Sequence, residues 1–161
     1  MVLCSLFASL MAVCGWISLP FLPVPVTLQT LGVLLSLGIL GGKWGSVSVL
    51  LYLAMGLLGL PVFAGFRGGA GALLDASGGF LWGFAAGSLV YRAAERLGKL
   101  PAMVLCQLTF YICGCLWFSV LTGTAGIPAA VMGCLVPYLP GDGVKLWLAW
   151  HLSGRIGKQL K

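Results

Sequence analysis

Apolar residues run through this chain in long blocks, and the breaks between blocks fall at prolines, glycines and charged residues. Read as spans, the blocks cover 2–19, 27–40, 45–60, 78–97, 101–121 and a last stretch that begins after Pro140-Gly141-Asp142. A helix crossing a bilayer needs about 20 largely apolar residues. The second and third blocks fall short of that, so either their ends lie a few residues further out or they are shielded inside a bundle, where neighbouring protein satisfies exposed backbone. Pro20, Pro23 and Pro25 impose an extended segment after the first span. Gly41, Gly42 and Lys43 make a tight turn, and the glycine-rich stretch 61–77 around Arg67 reads as a loop. Pro101 opens the fifth span, where its missing N–H costs nothing. A Gly/Thr/Pro turn at 122–128 leads into a short apolar piece, 129–138, that is helical but does not span. The expected fold is an all-α membrane protein with six transmembrane helices, forming a single integral-membrane domain over 1–161.

Composition strengthens that reading. Hydrophobic residues make up 60% of the chain and charged ones 7%, against roughly 25% charged in an average soluble domain, which excludes a water-soluble fold. The net charge of +6 then serves as a topology signal. With six spans, Lys43, Arg92, Arg96, Lys99, Arg155, Lys158 and Lys161 share one side, and only Arg67 and Lys145 fall opposite. That bias makes the first side, with both termini, cytoplasmic. The N-terminal block lacks a basic leader, and Val13 spoils a lipoprotein cleavage box before Cys14, so it is read as a retained first helix. None of the six cysteines shows zinc-site spacing, and they read as small buried apolar residues.

Ionisable groups at membrane depth are costly and point to function. Outside the cytoplasmic clusters these are Arg67, Asp75, Asp142 and Lys145, all on or near the outer face. Asp142 and Lys145, three residues apart, share one face of the first turn of the last helix, where the macrodipole favours the carboxylate. The plain alternative is that Asp142 caps that helix, Lys145 snorkels to the headgroups and Arg67 anchors in them. Asp75 reads as a turn and helix-start residue. Gly41-Gly42-Lys43 is no phosphate loop, since Leu37 and Trp44 occupy positions that pattern reserves for Gly and Ser/Thr. His151 stands alone in an apolar helix and reads as a packing residue, and the six tryptophans as interface and packing residues. No nucleophile has a base nearby in sequence, so neither enzymatic activity nor a cofactor is expected. Ala8 and Ala12, with Ser5 and Ser9 beside them, give the first helix a face that another helix can approach closely, inside the bundle or on a partner.

Several segments, in order, resemble the biotin-specific S components (BioY family) of energy-coupling factor transporters. They are PVPVTLQT at 23–30, SVLLYL at 48–53, GLPVFAG at 59–65 followed by Arg67-Gly68-Gly69, Gly78-Gly79, and PGDGVK at 140–145. The chain departs from that family in entering its first span almost at once, so a trimmed start is expected, and in carrying Ser77 where threonine is usual. The resemblance implies a multi-pass protein of the bacterial cell membrane with an outward-facing biotin pocket. It further implies that the Ala8–Ala12 face docks on a transmembrane coupling subunit, itself driven by two ATPases. Asp142 is assigned to the ureido N–H groups, Lys145 to the ring carbonyl or the carboxylate, and Arg67 to the carboxylate, which suits its planar fork. Thr27, Gln29 and Tyr111 are candidates for further polar contacts, and Phe63, Trp82 and Trp117 for apolar walls around the valeryl chain. Gly68, Gly69 and Gly78 are candidates for close backbone approach. The rival readings are an S component for another small anionic vitamin, a structural membrane subunit without a ligand, and a channel or proton-driven carrier acting alone.

Overall fold

The apolar blocks form helices because a helix satisfies its backbone within itself, which an environment without water demands. The structure, a computed structural model, describes residues 1–19, 26–123 and 138–159. Its elements are α1 (Val2–Trp16), the short antiparallel strands β1 (Ser18–Leu19) and β2 (Val26–Thr27), α2 (Gln29–Leu57), α3 (Ala70–Leu74), α4 (Gly78–Ala94), α5 (Lys99–Thr122) and α6 (Leu139–Gln159). Single 3-10 turns at Ala64–Phe66 and Glu95–Leu97 complete the set. The non-spanning piece expected at 129–138 lies, up to residue 137, outside the described residues.

Boundaries moved where local bonding competes with the helix. α1 ends three residues earlier than expected because Ser18 and Leu19 pair with Thr27 and Val26, and the Ile17 carbonyl accepts the Leu28 N–H at 3.2 Å. The extended segment expected around Pro20, Pro23 and Pro25 lies outside the described residues, and β1 and β2 border it on either side. The glycine-rich stretch 61–77 is not wholly loop, since α3 and one 3-10 turn lie within it. α6 starts at Leu139, so Pro140 and Asp142 sit inside its first turn, and the Asp142 N–H already bonds the Tyr138 carbonyl at 2.9 Å.

α2 is two helices folded back on each other. Gly41 breaks it at φ 79° and ψ 170°, a conformation glycine adopts without a Cβ penalty. Gln29 and Tyr52, 23 residues apart, would be separated by about 35 Å along a continuous helix, yet the Gln29 amide bonds the Tyr52 hydroxyl at 2.6 Å. A Cβ on Gly45 would come within 2.7 Å of the Leu37 Cα, so the two arms touch backbone to backbone. The Glu95 carboxylate accepts the Gly42 N–H at 3.0 Å and caps the second arm. The first arm is shielded, with Gly32, Val33, Leu34, Ser36, Leu37 and Gly38 all buried, whereas the second leaves Trp44, Leu50 and Leu57 exposed.

α4 and α5 form the closest helix pair. Gly79, Gly83 and Gly87, at four-residue spacing on α4, all face α5, against Trp117 and Cys113, Phe110 and Cys113, and Phe110 and Cys106 respectively. Small residues at this spacing let helix backbones meet and gain dispersion contacts. α1 packs on α2, with a Gly32 Cβ position 3.3 Å from Met11 and the Ser48 hydroxyl bonding the Cys4 carbonyl at 2.8 Å.

The buried core is mainly apolar, but it also holds polar residues, and the surface is apolar as well. Buried positions include Gln29, Ser36, Ser46, Ser48, Ser88, Gln107, Asp142, Lys145 and Ser153. The exposed surface carries Leu6, Leu10, Leu50, Leu89, Leu108, Ile112, Leu116 and Trp147 among other large apolar side chains. Apolar area of that extent marks contact with lipid or protein. Among the described residues two helices, Gln29–Leu57 and Lys99–Leu121, are long and apolar enough to cross a membrane, the first being the folded-back pair.

Candidate functional site

A cavity of about 670 Å³, its open mouth included, lies between the starts of α2 and α6, the loop before α3, α4 and α5. Asp142 and Lys145 lie at its wall, 6% and 8% exposed. Their i,i+3 spacing on α6 brings the Lys145 ammonium to 2.7 Å from Asp142 Oδ1, and the same ammonium donates to the Thr27 carbonyl at 2.7 Å. Asp142 Oδ2 accepts the Tyr111 hydroxyl at 2.8 Å and the Gln107 amide at 3.2 Å. Gln107 and Tyr111 stand one turn apart on α5, so both reach the same carboxylate.

Such a pair is costly to desolvate, and its attraction repays the cost only when the remaining lone pairs and protons are bonded. Here β2 supplies the Thr27 carbonyl to Lys145, and α5 supplies Gln107 and Tyr111 to Asp142. The arrangement is more than a helix cap with a snorkelling lysine, because Lys145 turns inward and is buried.

The start of α2 is fixed by two local devices. Thr27 Oγ1 accepts the Gln29 N–H at 3.3 Å. The Gln29 side chain holds the Tyr52 hydroxyl, which donates to the Val62 carbonyl at 3.0 Å. Phe63, next in the loop, packs its ring over Gly56, where any Cβ would lie 2.0 Å from the ring. It also meets Tyr52 edge-on with centroids 5.6 Å apart. Phe80, Leu81, Phe84 and Phe110 make the opposite apolar wall, with Phe84 and Phe110 edge to face at 4.9 Å.

Arg67 lines the cavity and also a shallow cleft with Gly68, Gly71, Ala72 and Asp75. Its guanidinium forms an ion pair with Asp75 and donates to Ser77 Oγ and the Ala64 carbonyl, each at 3.2 Å. Asp75 is therefore more than a turn residue, although it does bond the Ala76 N–H at 2.7 Å. Of the five N–H donors of a guanidinium, three are engaged.

Thr27, Gln29, Phe63, Arg67, Tyr111, Asp142 and Lys145 thus meet around one cavity. Other expected contacts do not. Trp82 is 51% exposed and faces outward from α4. Trp117 packs on Gly79 and donates to the Asp75 carbonyl at 3.0 Å, bracing the loop from outside the cavity. Gly78 is pressed against the Leu73 carbonyl, Gly68 against Leu60, and Gly69 takes a positive φ of 84° at the start of α3. These glycines serve chain turns, and of the three only Gly68 borders a cleft. Ala8 and Ala12, expected as a docking face, are buried in the core of this chain, with Ser5 and Ser9 beside them exposed. His151 is exposed and stacks on Trp147 at 5.5 Å.

Gln107 is the important residue the sequence reading passed over. A lone amide inside the apolar fifth span is itself a signal by the same reasoning that selected Asp142. Thr30, Phe80, Phe84, Phe110 and Tyr138 carry no such mark, being ordinary members of their runs. Among the described residues, no group of three or more His, Cys, Asp or Glu side chains is placed to hold a metal.

Comparison with known proteins gives a consistent picture. The family model described as the BioY family matches residues 1–161. The chain is 46% identical to the biotin transporter BioY of Thermotoga maritima, over 95% of this chain and 92% of that protein. It is 32% identical to the biotin transporter BioY of Lactococcus lactis, over 89% of this chain and 80% of that one. Its fold is similar to a crystal structure of the S-component for biotin from an ECF-type ABC transporter, with a TM-score of 0.87 and 27% identity over 98% of this chain and 89% of that one.

Proposed function

The chain belongs to the BioY family, and we propose from that premise that it is the membrane-embedded subunit that binds biotin for uptake by an energy-coupling factor transporter. It is a transport protein and not an enzyme. The observation that carries the reading is the buried Asp142–Lys145 pair, built into the wall of a cavity that is otherwise largely apolar. Biotin's ureido ring offers N–H donors and a carbonyl acceptor, and a carboxylate beside an ammonium answers both. The aromatic walls suit the thioether ring and valeryl chain. Arg67, with two N–H donors not engaged among the described residues, is assigned to the carboxylate.

Six spans follow from counting the arms of α2 separately, as α1, residues 29–40, residues 42–57, α4, α5 and α6. This arrangement is supported by what gathers at each end. Gly42 meets Arg92 and Glu95, and the Lys99 ammonium bonds the Ser153 carbonyl at 3.4 Å, so the basic residues cluster together. Thr27, Arg67 and Asp142 gather at the other end. In this reading the termini are cytoplasmic, the cavity opens outward, and the protein is a multi-pass component of the bacterial cell membrane. Delivery inward is the work of a transmembrane coupling subunit and two ATPases.

Labelled-biotin uptake tests the coupling. In cells without their own biotin uptake, this chain expressed with the coupling subunit and ATPases is expected to accumulate biotin, and ATP depletion to stop it. Equal uptake after ATP depletion and without the coupling proteins would point instead to a carrier acting alone.

A further inference from the structure

Two residues that line the cavity each hold a buried polar atom without a partner among the described residues. Among the described residues, only Thr30 Oγ1, Ser36 Oγ and Gln107 Oε1 are buried side-chain polar atoms lacking a hydrogen bond, and Thr30 and Gln107 both line the cavity. Buried polar atoms are nearly always bonded, so an orphan calls for an explanation.

For Gln107, 6% exposed, the amide orientation is fixed by chemistry. Its neighbour is the Asp142 carboxylate, which can only accept, so Nε2 faces Asp142 at 3.2 Å and the acceptor Oε1 is the atom left over. Asp142 itself is nearly saturated, since Oδ2 takes Tyr111 and Gln107 and Oδ1 takes Lys145. A carboxylate has about four lone-pair sites, which leaves room for one further donor. A cyclic urea brings two N–H groups.

We propose that Gln107 is a specificity-determining residue of the site: its Oε1 accepts one N–H of a cyclic urea while Asp142 Oδ1 accepts the other. The Thr30 hydroxyl, one turn beyond the Thr27 carbonyl that holds Lys145, adds a donor on the side of the ring carbonyl. Ordering of Gln107 by Asp142 makes the acceptor rigid before ligand arrives, which reduces the cost of binding. The inference rests on the biotin reading and sharpens it to a donor–acceptor pattern.

The test measures binding of biotin and of its two cyclic carbamate analogues, in which one or the other ring N–H is replaced by oxygen, to purified protein. Wild type is expected to bind both carbamates at least tenfold more weakly than biotin, because each leaves a buried acceptor unmet. In Gln107→Met the penalty is expected to disappear for one carbamate and persist for the other. A uniform loss for all three ligands would overturn the inference, for it would show that Gln107 acts only by supporting Asp142. Gln107→Glu, which keeps an acceptor oxygen and, by sharing a proton with the Asp142 carboxylate, a donor toward it, is expected to retain discrimination against both carbamates; its loss in folded protein would overturn the inference should Gln107→Met fail to fold. Thr30→Val is expected to weaken biotin binding about tenfold at an unchanged unfolding temperature; unaltered affinity would remove Thr30 from the site. Absence of biotin binding by folded wild-type protein would overturn the biotin reading and this inference together, whereas biotin binding without discrimination would overturn this inference alone.

Discussion

Asp142→Asn is expected to weaken biotin binding about a hundredfold, a loss of roughly 2.7 kcal/mol. The substitution keeps the shape of the side chain but removes the charge that holds the Lys145 ammonium at 2.7 Å and receives Tyr111 and Gln107. Breaking a buried ion pair by neutralising one member costs more than deleting both, because the survivor stays buried and uncompensated. Lys145→Met is therefore expected to weaken binding by a similar factor. The double variant Asp142→Asn/Lys145→Met is expected to be less impaired than the sum of the two, in the manner of contacting residues. Equilibrium titration with labelled biotin checks the three affinities. Thermal unfolding in detergent separates their effect on binding from their effect on the fold. A fully additive double variant would show that the two residues act separately.

Gly79→Val is expected to damage the fold severely. A Cβ there would lie 2.2 Å from the Trp117 Cβ and 2.8 Å from the Cys113 carbonyl oxygen, so α4 and α5 would have to separate. Overpacking usually costs about 1 to 3 kcal/mol, and here the obstacle includes backbone, which yields less than a side chain. The consequence reaches the site, because α5 carries Gln107 and Tyr111 to Asp142 while α4 carries Phe80 and Phe84. The expected result is a lowered unfolding temperature and a loss of monodisperse protein on size exclusion. Gly154→Ala on α6, where an added Cβ meets nothing within 4 Å, is the matched control and is expected to be harmless.

The helices were legible in the sequence because their ends coincide with Pro, Gly and charge. Gly41 shows how far this goes: the glycine pair predicted the turn, and the turn makes a bonded pair of Gln29 and Tyr52. The ends that moved did so through contacts between distant segments, as where Ser18–Leu19 leaves the helix to pair with Val26–Thr27. Ala8 and Ala12 illustrate the limit more sharply. Small residues at four-residue spacing announce a close approach without naming the partner, and α1 spends that face on its own core. The glycines at 79, 83 and 87 carry the same spacing signal and also find an intramolecular partner.

The site divides along similar lines. Charged residues in an apolar chain are conspicuous, so Asp142, Lys145 and Arg67 were found at once. Tryptophans were not informative, since Trp82 faces outward and Trp117 braces a loop, while phenylalanines indistinguishable in sequence from core residues make the wall. Asp75 was read through its neighbours in sequence, whereas its partner is Arg67, eight residues away across α3.

Titration of biotin into detergent-purified wild-type protein, repeated with other anionic vitamins as competitors, tests the central claim most directly. Saturable binding of biotin that the other vitamins do not displace is the predicted result. Folded protein that fails to bind biotin, or that releases it to another vitamin at equal concentration, would contradict the account.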